Sequence, residues 1–248
     1  MEPPCTAHGS GGEILAQKRV RLDVNDPNTH HGWGVELAKD GRHEHAIEAF
    51  DRAIALDPDH AESHAQRGAA LAALQRYEDA LAAYDRALEI EAGDAATLGR
   101  RAIALAGLNR GLAALRSMDQ ALKLEPDDPE NRSTYASLLL ILGRYDDALA
   151  AADAALALRP DHAATLYDRA CALSQLERPA EALADLDRAF AIDFGAFGFA
   201  EVDNDLANLR RDDEQGPKFR ALVARCKRDR EAAADESKDE SGDGAGVG

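Results

Sequence analysis

Residues Ala61–Ile90 read AESHAQRGAALAALQRYEDALAAYDRALEI. Gly68, Leu71 and Leu74 recur at helical spacing in the first half, and Ala80, Leu81, Tyr84, Ala87 and Leu88 do so in the second. Apolar residues three and four apart fall on one face of an α-helix, so the stretch predicts two amphipathic helices joined by a tight turn. Shifted by 34 residues, the pattern returns in both directions. Leu37, Leu71, Leu105, Leu139 and Leu173 form one column; Ala46, Ala80, Ala114, Ala148 and Ala182 form another; Ala53, Ala87, Ala121, Ala155 and Ala189 form a third. Each unit is too short to bury its own apolar face, so the predicted copies stack and share a core.

A 34-residue helix–turn–helix with these columns resembles the tetratricopeptide repeat. The family's small residue on the first helix is matched by Gly34, Gly68, Ala102, Ala136 and Ala170, and its large residue on the second by Phe50, Tyr84, Met118, Ala152 and Leu186. Its closing proline is present as Pro58, Pro126 and Pro160 but replaced by Ala92 and Phe194. The early tryptophan position holds His30, His64, Leu98, Arg132 and Leu166. The resemblance implies an all-α, right-handed solenoid of five repeats: 27–60, 61–94, 95–128, 129–162 and 163–196.

Outside the array, the first twelve residues lack periodicity and predict disorder. Residues 13–26 align in the repeat frame through Leu22-Asp23-Val24 and predict a degenerate half-repeat packed as a lid. Residues 197–231 resemble the C-terminal tail of bacterial arrays of this type. They predict a short helix near Asn204–Arg211, then a helix with Pro217 in its first turn, burying Phe219, Leu222, Val223 and Cys226. The acidic, Gly-bearing end from Ala232 predicts disorder.

The 248-residue chain has a formal net charge of −17, which repels nucleic-acid phosphates, and no basic stripe with interleaved aromatics offsets it. No apolar run is long enough for a membrane span, and MEPPCTAHGSGG lacks a signal-peptide layout, so a cytoplasmic location is expected. Cys5, Cys171 and Cys226 have no metal-ligand or disulfide spacing. The histidines His43, His45, His60 and His64 read as capping and packing residues, not metal ligands. No phosphate loop, paired-cysteine motif or nucleophile elbow is present, so neither an enzyme nor a cofactor is expected. Asp51, Asp85, Asp119, Asp153 and Asp187 form a repeat column, and Arg67, Arg101 and Arg169 are its expected partners across helices.

The resemblance also implies a concave groove lined by the first helices. Its positions map onto His31, Val35 and Lys39; Gln66, Ala69, Ala72 and Ala73; Arg100, Ile103 and Gly107; Thr134, Ser137, Leu140 and Ile141; and Tyr167, Asp168, Cys171, Ser174 and Gln175. Leu140 and Ile141 are the expected bulky step, with Arg100, Gln66 and Tyr167 orienting a peptide or helix of a protein partner. The lysine and asparagine clamp of chaperone-binding members is matched only at Arg100. The expected function is a protein-binding adaptor, with a self-associating structural component as the alternative.

Overall fold

A computed structural model describes residues 25–192 and 197–242. The expected disordered N-terminus, nearly all of the expected half-repeat lid (13–24) and residues 193–196 lie outside the described residues. Ten helices form five antiparallel pairs: α1 Pro27–Lys39 with α2 His43–Leu56, α3 Ala61–Ala73 with α4 Tyr77–Ile90, and α5 Ala95–Gly107 with α6 Gly111–Leu124. Next come α7 Pro129–Ile141 with α8 Tyr145–Leu158, and α9 Ala163–Gln175 with α10 Pro179–Ile192. Each pair packs on the next, and successive first helices touch, which makes an α-solenoid.

Local chemistry sets the boundaries. The carboxylates of Asp26, Asp94 and Asp128 accept from backbone N–H groups of the first turns of α1, α5 and α7, and Pro27 and Pro129 begin two of these helices. Every first helix ends in the same turn. The N–H groups of Arg42, Arg76, Arg110, Arg144 and Arg178 each reach back 2.9 Å to Leu37, Leu71, Leu105, Leu139 and Leu173. Such a closure needs a left-handed residue just before the arginine. Gly41 and Gly143 supply it as their sequence positions predict, and Gln75, Asn109 and Glu177 adopt the same positive φ in the other copies.

The small and large columns meet. A Cβ added to Gly68 would lie 2.6 Å from the Tyr84 ring, and Tyr84 is 1% exposed. Helix propensity favours Gly68→Ala by about 0.5–1 kcal/mol, whereas overpacking a close contact costs about 1–3 kcal/mol. The packing term wins. Gly68→Ala is expected to lower the thermal midpoint; a raised midpoint would place the Tyr84 ring elsewhere.

Beyond α10 the repeat frame continues in altered form. Phe197–Ala200 (α11), the 3-10 turn Asn204–Leu206 and Ala207–Arg211 (α12) take the place of a sixth first helix, and Gln215–Gly242 (α13) that of its second. Phe197, Leu206, Leu209, Phe219, Leu222, Val223 and Cys226 are buried against the fifth repeat. The helix α13 runs on to Gly242, past Ala232 where composition predicts disorder. Alanine and glutamate in EAAADES favour helix, which composition-based reasoning on charge and glycine overlooks.

Candidate functional site

The concave face is set by helix periodicity. On each first helix, one position packs on the preceding copy: Ala70, Ala104, Leu138 and Ala172 are all buried. The positions beside it open onto the groove. Ile103 is 52% exposed and Ile141 73%; the equivalent positions of other repeats hold the small residues Ala69, Ala73 and Gly107, the last of them against the Tyr77 ring.

Ala65, Gln66, Ala96 and Arg100 line a cleft of about 330 Å³ between α3 and α5, together with the acidic residues Glu62, Glu91 and Asp94. Arg100 is half-buried and has no carboxylate within ion-pair distance among the described residues. Its guanidinium lies close enough to the buried Tyr84 phenol to oppose the effect of burial, which pushes that phenol up to about 12. A half-buried guanidinium with unfilled donors can accept a carboxylate or a backbone carbonyl.

Other expected groove residues are already engaged. His31 is half-buried, with Nδ1 3.1 Å from Ser63 Oγ, Nε2 3.4 Å from Glu62 and its ring against Phe50 and His60. Desolvation lowers its pKa, with Glu62 opposing, so it is a neutral packing residue at pH 7. Val35 packs on the core, and Lys39 is exposed and paired with Glu36 at 2.8 Å. Ser137 donates to Asp168.

Two expectations need correction. Leu140 is 8% exposed and belongs to the core, because its position faces the following helix α9 and not the groove. Tyr167 and Gln175, also expected in the groove, are half-buried and bonded to the C-terminal segment. Tyr167 donates to Asp203 at 2.7 Å, Gln175 Nε2 donates to the Asp205 carbonyl at 2.8 Å, and Ser174 Oγ accepts from the Leu209 N–H at 3.2 Å. Cys171 is 1% exposed, and burial among carboxylates holds it as an unreactive thiol. Repeat five thus presents these side chains already bonded to the C-terminal segment.

The acidic column pairs across repeats. Arg67 meets Asp51 and Arg101 meets Asp85, both at 2.6 Å; Arg169 meets Asp153 at 2.7 Å. At the remaining places Tyr135 interacts with Asp119, and Arg225 of α13 takes Asp187 at 2.5 Å. The exposed pairs each contribute about 0.2–1 kcal/mol, so they help align repeats without holding them together. Among the described residues no cluster of histidine, cysteine and carboxylate side chains is placed to hold a metal ion, and no helix is long and apolar enough to cross a membrane.

A family model described as tetratricopeptide repeat matches residues 31–96, 100–163 and 136–196. Among curated proteins no match is found. Among solved structures, YrrB, "a TPR protein with an unusual peptide-binding site", is 24% identical, with 68% of this chain and 87% of that one aligned at a TM-score of 0.56. A MamA structure is 16% identical, aligned over 66% and 95% at a TM-score of 0.58. MamA from Desulfovibrio magneticus RS-1 is 14% identical, aligned over 70% and 98% at 0.62. At these identities the likeness is one of fold.

Proposed function

The chain belongs to the tetratricopeptide repeat family, and from that premise we propose that it is a non-enzymatic adaptor whose concave groove binds a segment of a partner protein. The observation that supports this most is the exposure of Ile103 and Ile141 on two first helices, together with a half-buried Arg100 that meets no carboxylate among the described residues. A bound segment would lay aliphatic side chains over the two isoleucines. It would place one acidic residue or backbone carbonyl on Arg100, with Gln66 as a second polar contact. Burying an exposed aliphatic side chain contributes about 1.5–3 kcal/mol, so these two positions supply most of the affinity and Arg100 the orientation. Binding by a neighbouring fold, the peptide site named for YrrB, is compatible with this reading.

Peptide-display selection on the immobilised full chain tests it. Selected sequences are expected to share aliphatic residues near one acidic residue. Arg100→Glu with Ile141→Glu should weaken the best of them about 10–100-fold while leaving the circular dichroism unchanged. Retained binding in the double variant would move the site off the groove.

A further inference from the structure

A cleft of about 890 Å³ lies on the opposite, convex side, between α4 and α6. Its origin is local. At the other repeat junctions a side chain of the later repeat holds the carbonyl of the closing proline. His64 Nε2 lies 3.0 Å from the Pro58 carbonyl, Arg132 Nε donates to that of Pro126 at 2.6 Å, and Arg188 Nη2 to that of Pro160 at 3.0 Å. Between repeats two and three the proline is Ala92, followed by Gly93 at φ +134°. Leu98 stands where His64 and Arg132 stand, and Gln120 where Arg188 stands. Neither bonds the loop among the described residues, so the junction stays open.

The floor is aliphatic, from Leu88, Leu98 and Ala113, with Leu124 50% exposed at the end. The α4 wall carries Asp85 and Glu89, already paired with Arg101 and Arg86, and the α6 wall is cationic. Arg116 and Lys123 lie on α6 seven residues apart, both exposed, and neither meets a carboxylate among the described residues. Repeat three is alone among the five in carrying more basic than acidic residues.

The chain itself contains a segment of complementary charge. In α13 every residue from Lys227 to Ala232 is exposed, and the helix continues to Gly242. In its sequence Glu231, Asp235 and Asp239 recur every four residues, Glu236 and Glu240 follow two of them, and alanines occupy 232–234. At 1.5 Å per residue, Arg116 and Lys123 are about 10 Å apart along α6, and Glu231 and Asp239 about 12 Å apart along α13. Small alanines allow close approach of the two helices. Arg116 and Lys123 meet no carboxylate among the described residues, which leaves both free to take an acidic segment of a second copy.

We propose that the convex cleft between α4 and α6 receives the acidic end of α13, residues 231–242, from a second copy of the chain. The contact joins the tail of one copy to the third repeat of the next, a head-to-tail mode that extends unless the rotation closes a ring. It is independent of the concave groove.

Sedimentation velocity of the full chain over a concentration series reads the contact. Self-association is expected, and it should weaken at high salt because exposed charge pairs are screened. Arg116→Glu with Lys123→Glu should weaken it about tenfold or more. So should neutralising the tail by Glu231→Gln, Asp235→Asn, Glu236→Gln, Asp239→Asn and Glu240→Gln. Replacing those same five acids by lysine and mixing that chain with the Arg116→Glu, Lys123→Glu chain should restore association between the two. A full chain that stays monomeric throughout, association indifferent to both sets of changes, or failure of the mixed pair to associate would each overturn the proposal.

Discussion

Replacing Arg169 by methionine is expected to cost about 3–5 kcal/mol of stability, far more than loss of any other rung of the Asp–Arg column. The difference lies in Asp185. Arg169 donates to both of its oxygens, Nε to Oδ2 at 2.7 Å and Nη2 to Oδ1 at 2.6 Å, while Nη1 reaches Asp153 at 2.7 Å. One side chain thus ties α8 to α10 through α9. The Asp185 side chain is only 6% exposed, whereas the acids of the other rungs are about half exposed. Removing the guanidinium strands a buried carboxylate, and the penalty is its desolvation more than the lost attraction. Two carboxylates hydrogen-bonded to one guanidinium also hold the Arg169 pKa above its ordinary value. Urea unfolding reads the loss, and the pair Arg169→Met with Asp185→Leu should recover most of it. A loss near 0.5 kcal/mol for the single change would mean that Asp185 is solvated.

Acidification from pH 7.5 to 5 is expected to stabilise the junction between repeat five and the cap, by about 1.4 kcal/mol. Asp168 carries the effect. Burial pushes its carboxyl up to about 6, and the facing carboxylates of Asp203 and Asp205 add to this; the hydroxyl of Ser137, donating to the ionised form, opposes. Asp205 is raised as well, by burial and by Asp203. On the same face Tyr167 donates to Asp203, and Arg210 is bonded to the carbonyls of Ala200 and Asp203. A carboxyl whose folded pKa exceeds its unfolded one binds its proton more tightly in the fold. The stabilisation is therefore complete below the unfolded value near 4 and is lost as pH rises through about 6. Asp168→Asn should raise stability at pH 7.5 and flatten the dependence between pH 5 and 7. Parallel pH profiles for the two proteins would assign the titration to other groups.

The sequence by itself determined the period, and with it the pairs and the contacts between equivalent positions. The 34-residue columns place Gly68 under Tyr84 and the buried alanines between neighbouring helices, because a helical period specifies which residues share a face. It also foretold that Arg67, Arg101 and Arg169 would meet the aspartate column, since the two positions recur together. The left-handed turn was legible at Gly41 and Gly143 but not at Gln75, Asn109 and Glu177, where the closing bond to the preceding leucine imposes it on residues that do not prefer it. Only the tertiary structure decided which groove positions remain open. Leu140 and Ile141 are neighbours in sequence, yet α9 covers one and leaves the other 73% exposed. Tyr167 and Gln175 occupy groove positions in the repeat frame, but the cap takes their hydrogen bonds. The convex cleft likewise depends on side chains that fail to reach across one junction. Periodicity reports a residue's direction from its own helix, whereas exposure depends on what the next element places there.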